Sequence, residues 1–443
     1  MTATRFDMVL TGGRIAMPSG IARADIGVRD GRIAAIGDLA RHDAGLQLDV
    51  TGLHVLPGVI DTQVHFREPG NEHKEDLETG SRAAVLGGVV AVFEMPNTSP
   101  PTTTAEAVTD KLTRAKGRMW CDHAFYVGAT AENVAALSAL ERLPGVAGVK
   151  VFMGSSTGSL LVPDDATLAR VLTATRRRVA IHAEDEARLI ARKDLIKPGD
   201  PATHPLWRDA ETALSATKRV IALAERLHRR IHVLHVTTAE EMAFLAQHKE
   251  WASVEVTPQH LTLSAPGCYH RLGTLAQMNP PIRSRRHRAA LWQALREGVV
   301  DVIGSDHAPH SREEKARSYP HSPSGMPGVQ TLLPLLLHHH AHGRLSLQRL
   351  VDLTSAGAAR LFGLLGKGRI AVGYDADFSI VDLKARWTIT EDWLASRAGW
   401  SPFTGMTITG RPIGTIIRGH RVMWEGELVD SPIGRPLRFA EAT

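Results

Sequence analysis

The sequence is poor in cysteine and in aromatic residues, and each shortage excludes a class of protein. Its 443 residues include two cysteines, Cys121 and Cys268, and aromatic side chains make up 5% of the chain. Two cysteines far apart in the chain fit neither a disulfide framework nor a zinc knuckle. No apolar run approaches the roughly 18 residues that a membrane span needs, and residues 1–10 show no signal-peptide pattern. We therefore expect a cytoplasmic protein with no membrane partner.

The chain also lacks a strong excess of charge of one sign. Lys and Arg number 52 against 47 Asp and Glu, which gives a formal net charge of +5. Basic residues cluster at 176–178 and 283–288. No aromatic residues alternate with them, so the pattern does not indicate nucleic-acid binding. We interpret both clusters as solvated ends of helices or loops, and expect a small molecule as the main partner.

The two ends of the chain differ in pattern from its middle. Residues 1–56 and 367–443 carry short alternating segments with glycine turns, including a predicted strand at 368–370, and predict one small β domain built from both ends. Residues 57–366 alternate apolar strands with helical stretches. The eight predicted strands there are 59–66, 89–94, 123–127, 148–152, 179–183, 231–236, 253–257 and 300–305. Eight such units in series predict an α/β fold, a (β/α)8 barrel of the TIM type, with its active site at the carboxyl ends of the strands.

The predicted strands end in polar residues. The stretch Gly58–Gly70, GVIDTQVHFREPG, places Gln63, His65 and Arg67 at alternate positions, and alternate side chains of a strand share a face. The later strand ends carry Asn97, Lys150, His182, His235 and Asp306, with His310 in the loop that follows. These side chains should therefore meet at the end of the barrel where this fold performs chemistry.

Each of these residues also has a structural alternative. A lone histidine is more often a core residue, but three at separate strand ends, with Asp306, form a set that Zn²⁺ binds. Lys150 lies in an apolar strand and is costly to bury, so it either forms a salt bridge, for example to Asp306, or carries a CO₂-derived carbamate. Asp306 is either a general acid/base or a helix N-cap.

Arg67 and Asn97 are suited to bind a substrate carboxylate, because a guanidinium binds one in bidentate fashion; the alternative is a structural pair between loops. The other histidines considered, one in a strand and three in a helix, are predicted to have no functional role. His232 should lie deeper in the barrel, and residues 338–340 should form a partly exposed helix face.

At these residues the chain resembles dihydroorotases of the longer bacterial kind, in the cyclic-amide branch of the amidohydrolase superfamily. The matching segments run through the whole barrel: 57–70, 74–80, 95–98, 150–154, 182–184, 235–236, 279–283 and 305–310. The resemblance implies a binuclear zinc centre held by His65, a carboxylated Lys150, His182, His235 and Asp306. It also implies that Arg67 and Asn97 hold the substrate carboxylate, that Asn279 and His310 contact the substrate, and that Asp306 is the general acid/base.

Gln63 departs from the pattern of this family. Relatives normally have His-x-His in the first strand, and this chain has Gln-x-His. A glutamine oxygen is a poorer zinc ligand than an imidazole. We therefore expect one firmly held zinc, bound through Lys150, His182 and His235, and a second metal position that binds more weakly.

The resemblance implies reversible hydrolysis of (S)-dihydroorotate to N-carbamoyl-L-aspartate in pyrimidine biosynthesis. Two alternatives are an allantoinase-like or hydantoinase-like activity and a non-catalytic scaffold for aspartate transcarbamoylase. Arg67 together with Asn97 favours a substrate with a carboxylate, and the retained set of metal-competent residues argues against the scaffold. Relatives imply a homodimer, with aspartate transcarbamoylase as a candidate partner.

Overall fold

The structure is a computed structural model that describes residues 5–156 and 160–441. The chain begins with seven strands: β1 (Phe6–Thr11), β2 (Arg14–Met17), β3 (Gly20–Arg23), β4 (Asp25–Arg29), β5 (Arg32–Gly37), β6 (Ala44–Asp49) and β7 (His54–Pro57). Eight strands form the middle: β8 (Val59–Val64), β9 (Val89–Glu94), β10 (Asp122–Gly128), β11 (Val146–Phe152), β12 (Val179–His182), β13 (Ile231–Val233), β14 (Ala252–Val256) and β15 (Val302–Ile303). Four strands follow: β16 (Phe378–Thr388), β17 (Thr407–Ile417), β18 (His420–Trp424) and β19 (Glu427–Leu428).

Strands β8 to β15 form the predicted parallel barrel. Each pairs in parallel with its neighbour in chain order. Closure comes from a parallel bridge between Val64 and His307, and from the His65 amide, which donates to the His307 carbonyl at 2.7 Å. Every residue in these strands is buried, as expected of a parallel sheet covered on its outer face. The prediction of a (β/α)8 barrel is confirmed.

Helices cover the outside of the barrel and begin at polar caps. Asp76 accepts a hydrogen bond from the Thr79 amide at the start of the first helix, and Asp209 caps the longest one in the same way. The α-helices are α1 (Leu77–Leu86), α2 (Ala105–Ala115), α3 (Leu137–Leu140), α4 (Asp165–Ala174), α5 (Glu186–Ala191), α6 (His204–Trp207), α7 (Ala210–Arg226), α8 (Ala239–Ala246), α9 (Pro258–Thr262), α10 (Gly267–Leu272), α11 (Arg285–Arg296), α12 (Arg312–Lys315), α13 (Leu332–Ala341), α14 (Leu347–Val351) and α15 (Gly357–Phe362). No helix in the described ranges is long and apolar enough to cross a bilayer.

Both ends of the chain contribute to the separate β domain. One sheet has the order β5-β4-β1-β6, and a second has the order β19-β18-β17-β16-β7-β2-β3, which places strands from the two termini side by side. Their shared core includes Leu10, Ile26, Phe378 and Ile416. The boundaries predicted at residues 56/57 and 366/367 stay a prediction.

The strand predicted at residues 368–370 is wrong. Gly368 has φ +85° and lies close to the Ser355 carbonyl, so the chain turns there and does not extend. The segment between β16 and β17 also reaches the barrel. It leaves the β domain and packs on the carboxyl end of the barrel, where the indole Nε1 of Trp400 donates to the His310 carbonyl at 2.8 Å.

Candidate active site

A cavity at the carboxyl end of the barrel collects the predicted site residues. Its lining includes Gln63, His65, Arg67, Asn97, Lys150, His182, His235, Asn279 and Asp306. His310 lies directly behind Arg67, with its Nε2 atom 3.2 Å from a terminal nitrogen of the guanidinium. The structure thus brings together residues that are up to 243 positions apart in the chain.

The backbone is strained at three of these residues. Arg67, His235 and Asp306 have φ values of 64°, 36° and 44°, in the left-handed region that side chains other than glycine rarely adopt. Such conformations cost about 1–3 kcal/mol each and persist where surrounding structure enforces them, often at functional sites. All three lie where the chain turns at the end of a barrel strand, which directs their side chains into the cavity.

His182 and His235 face each other inside the cavity. The Nδ1 atom of His182 lies 3.1 Å from Nε2 of His235, while Nε2 of His182 lies 2.9 Å from a carboxylate oxygen of Glu184. Glu184 is in turn held by the guanidinium of Arg208. Burial lowers the pKa of both histidines, so the imidazoles are neutral. The carboxylate of Glu184 holds the Nε2 proton, so that Nδ1 of His182 keeps a lone pair directed into the cavity.

Lys150 has a buried Nζ atom without a hydrogen-bond partner among the described residues. The alternative predicted for it, a salt bridge to Asp306, is wrong, because no ion pair forms; the ammonium instead lies 4.5 Å above the Phe152 ring. Burial lowers the pKa of Lys150 to about 7, against the opposing charges of Asp306 and Glu255. A neutral amine is the form that adds CO₂, so this environment suits carbamate formation.

Asp306 lies at the junction of the first and last barrel strands. Its Oδ1 atom accepts a hydrogen bond from the Gln63 amide at 3.0 Å and lies 3.2 Å from Nε2 of His65. Burial alone would raise the pKa of this carboxyl, but the hydrogen bond from His65 and the charges of nearby basic groups hold it well below its usual range. The N-cap alternative is wrong, because Ser311 caps the helix that follows.

Arg67 is a buried guanidinium whose charge has no partner carboxylate. Its side chain donates from Nε to the Pro309 carbonyl at 3.1 Å, and no carboxylate of the described residues lies within 4.0 Å of it. Burial lowers the pKa of Arg67 to about 10, so the group stays charged at neutral pH. Asn97 lies across the cavity, with Oδ1 2.7 Å from Nδ1 of His65. Arg67 contacts the loop after the last barrel strand through the Pro309 carbonyl and His310, as the alternative of a structural pair between loops predicts, and the carboxylate-binding role of Arg67 and Asn97 stays a prediction.

Asn279 contacts neighbouring side chains at the edge of the cavity. Its Oδ1 atom lies 3.0 Å from Nε2 of His204, and its amide nitrogen lies 3.4 Å from the Ser156 hydroxyl. His204 is itself buried, which lowers its pKa to about 3 and leaves its imidazole neutral. Asn279 is therefore held in one orientation by polar neighbours.

The side chains of this cavity fit a metal ion only if Lys150 is carbamylated. In the part of the chain that the structure describes, no three His, Cys, Asp or Glu side chains already form a metal site. The imidazoles of His182 and His235 need a third ligand, and the amine of Lys150 lines the same cavity, buried and without a hydrogen-bond partner among the described residues. An amine becomes an oxygen ligand only after it adds CO₂. With Lys150 carbamylated, these residues fit a metal, and His65 and Asp306 lie beside it.

Gln63 stands where the resemblance predicts a histidine ligand. Its amide nitrogen bonds Asp306, whereas its Oε1 atom is buried without a hydrogen-bond partner. An orphaned carbonyl oxygen facing this cluster is compatible with a weak cation ligand. The metal role of Gln63 stays a prediction.

Sequence reasoning assigned no role to several residues that shape the site. Glu184 orients His182. The sequence feature that could have identified it is its place in the His182-Ala183-Glu184 segment. Gly325 borders the cavity at φ +136°, where a Cβ would come within 2.4 Å of the Ala308 carbonyl. His232 does lie deep in the barrel, with Nδ1 2.9 Å from the Ser253 hydroxyl. The expectation for residues 338–340 is wrong at His339, which is buried and bonds Thr262 at 2.8 Å.

The chain is similar to known proteins over most of its length. The sequence profile described as the amidohydrolase family matches residues 54–422. A dihydroorotase from Halobacterium salinarum is 40% identical over 391 residues, which cover 87% of this chain and 89% of that protein. An allantoinase from Rubrobacter xylanophilus is 36% identical over an alignment of 453 residues, which covers 98% of each chain. Among solved structures, an L-hydantoinase (dihydropyrimidinase) from Arthrobacter aurescens superposes with a TM-score of 0.93 at 30% identity, covering 98% of this chain and 99% of that one.

Proposed function

The chain belongs to the amidohydrolase family and is a hydrolase that acts on a cyclic amide, and on that premise we propose that it catalyses the reversible hydrolysis of (S)-dihydroorotate to N-carbamoyl-L-aspartate. This reaction belongs to pyrimidine biosynthesis. Relatives named dihydroorotase, at 35–40% identity over most of the chain, support the proposal.

The observation that carries the choice of substrate is the unpaired charge of Arg67. A buried guanidinium with no carboxylate partner is costly unless a ligand supplies the opposite charge. Dihydroorotate carries a carboxylate on its ring, whereas hydantoin and allantoin carry none. Arg67 and His310 lie on one side of the cavity and Asn97 lies beside His65, so a carboxylate held there would place the ring next to Asp306.

We infer that zinc is the metal and that a carbamylated Lys150, His182 and His235 would hold it firmly, with Lys150, His65 and Asp306 at a weaker second position. Gln63 is a candidate ligand at that second position. When bound, zinc supplies Lewis acidity that lowers the pKa of a water molecule to about 7 and polarises a carbonyl. The carbamate forms when the neutral Lys150 amine attacks CO₂ and releases one proton.

The protein side chains handle the substrate and the proton. Arg67 and Asn97 hold the carboxylate and thereby orient the ring amide, and Asn279 and His310 contact the substrate. Asp306 is ionised, because its pKa lies below the usual range, and it takes a proton from the attacking water. It then returns that proton to the ring nitrogen as the carbon–nitrogen bond breaks, which leaves the product carboxylate and ureido group.

A substrate panel run on one preparation tests this function. Dihydroorotate, hydantoin, dihydrouracil and allantoin are compared by kcat/KM, with metal content measured by elemental analysis and the mass of Lys150 peptides checked for an added carbamate under non-acidic conditions. We expect dihydroorotate to be preferred and at least one zinc per chain. Preference for a neutral ring would contradict the proposal, and protein without metal or turnover would favour the scaffold alternative.

Allantoin hydrolysis is a second candidate, because the allantoinase relative aligns with 98% of the chain and the dihydroorotase relative with 87%. The same panel separates them. A homodimer and an association with aspartate transcarbamoylase stay predictions; light scattering after size exclusion and co-purification with that enzyme test them.

A further inference from the structure

A second cavity lies at the opposite end of the barrel from the active site, beside the amino ends of its strands. It has a volume of about 530 Å³. We call it the arginine cavity, because six arginines line it: Arg176, Arg177 and Arg178 before β12, Arg229 and Arg230 before β13, and Arg360 on α15. Sequence reasoning treated residues 176–178 as a solvated end, but the fold gathers them with arginines from two other segments.

Three of these arginines have no side-chain hydrogen bond or ion pair among the described residues. Arg178, Arg229 and Arg230 make no side-chain hydrogen bond and no ion pair with the residues that the structure describes, and Nε of Arg229 is buried with no partner. Burial, with the charge of Arg230 beside it, lowers the pKa of Arg178. Burial and the charge of Arg176 likewise lower the pKa of Arg229. The like charges therefore repel one another in a partly desolvated space.

The other three arginines are held in place. Arg360 pairs with Asp352 at 3.3 Å, Arg177 lies 4.8 Å above the Phe439 ring, and Arg176 donates to the Thr173 carbonyl at 3.3 Å. These contacts orient the guanidinium groups around the cavity. Fewer degrees of freedom then remain to be lost when an anion binds.

The charge of the cavity is not balanced from within. Its lining contains two glutamates, Glu250 and Glu441, against six arginines, and Asp352 pairs with one of these, Arg360, which leaves three positive charges in excess. Guanidinium forks match phosphate oxygens in bidentate geometry. The volume lies within the range of about 300–1,000 Å³ that is typical of small-ligand sites. Trp251 also lines the cavity and offers an aromatic surface on which a base can stack.

We propose that the arginine cavity binds an anion with closely spaced phosphates, such as inorganic polyphosphate or a nucleoside triphosphate. The site is separate from the catalytic cavity, and the proposal does not depend on the proposed function. Several phosphates in a row match a set of arginines better than one carboxylate does, because each phosphate carries its own charge and acceptor oxygens.

Isothermal titration calorimetry on the full chain tests the proposal, with inorganic tripolyphosphate and four nucleoside triphosphates as probes. The test variant is the double substitution Arg178→Ala with Arg230→Ala. The matched control is Arg285→Ala, which removes an exposed arginine outside the cavity. We expect one saturable site that weakens with added salt. Affinity should fall at least about tenfold in the double variant, since hydrogen bonds to charged groups are strong, and stay unchanged in the control.

The outcomes separate the two sources of phosphate. Tighter binding of nucleotides than of tripolyphosphate, with the difference lost in Trp251→Ala, identifies a nucleotide; equal affinity identifies an inorganic chain. The proposal is overturned if no probe gives saturable heat, if the control loses as much affinity as the double variant, or if a glutamate-rich peptide binds and tripolyphosphate does not. Should the double variant melt early by circular dichroism, the single exposed substitution Arg230→Gln replaces it.

Discussion

Replacing Arg67 with glutamine tests the substrate assignment most directly. Arg67 is 4% exposed and lines the cavity, its Nε donates to the Pro309 carbonyl, and no described carboxylate pairs with it. A hydrogen bond to a charged group contributes about 1.5–3 kcal/mol. At about 1.36 kcal/mol per factor of ten, kcat/KM for dihydroorotate should fall about 10- to 150-fold.

The comparison that isolates this effect uses a second substrate and a second variant. Steady-state kinetics would be measured for dihydroorotate and for the neutral ring dihydrouracil, which has no carboxylate for Arg67 to bind. Arg67→Lys keeps the charge but loses the planar fork, so it should fall between wild type and Arg67→Gln. An equal loss on both substrates would show that Arg67 supports the fold of the site and not the carboxylate, and no loss on dihydroorotate would refute the reasoning.

Three further predictions concern the proton, the metal and the core. Asp306→Ala should lower kcat by at least about 10²–10⁴-fold while dihydroorotate binding stays measurable by calorimetry; near-normal turnover would contradict its role as acid/base. Gln63→His places an imidazole where an amide now bonds Asp306 at 3.0 Å, and should raise the zinc per chain found by elemental analysis; an unchanged ratio would remove this position from the metal site. Burial lowers the pKa of Lys315 to about 7. Because an unfolded lysine titrates near about 10.4, the unfolded chain holds the extra proton between these values, and Tm should rise from pH 7 toward pH 10. Lys315→Met should show a smaller rise, and equal slopes would refute the assignment.

The barrel could be predicted because its signals are local. Each strand of the barrel is a short apolar run, and a run such as Val89–Glu94 needs no knowledge of its neighbours to be recognised. The strand predicted at 368–370, which the structure does not have, shows the limit of this reasoning. Its apolar Ile370 is buried as expected, but it packs as part of a turn that Gly368 permits against another segment.

The candidate site was predictable in its members and not in its contacts. Alternation along the predicted strand 59–66 indicates one face for Gln63, His65 and Arg67, and the polarity of the fold indicates that the other strand ends lie beside them. In the structure β8 ends at Val64, and Arg67, with φ 64°, reaches the cavity from the turn that follows. No local pattern could show that Glu184 holds His182, or that the amine of Lys150 lies over Phe152 and does not pair with Asp306. Those contacts depend on how the loops turn after each strand.

By itself, the sequence determined the eight barrel strands and the imidazole, carboxylate and guanidinium groups that stand at or just after their ends. The tertiary structure alone decided which groups pair and which described ones lack a carboxylate partner, as with Arg67 at one end of the barrel and Arg178, Arg229 and Arg230 at the other. The physical reason is the distance along the chain over which each effect acts. Periodicity and residue type act over a few positions, whereas burial and charge pairing depend on residues that are hundreds of positions apart until the barrel closes.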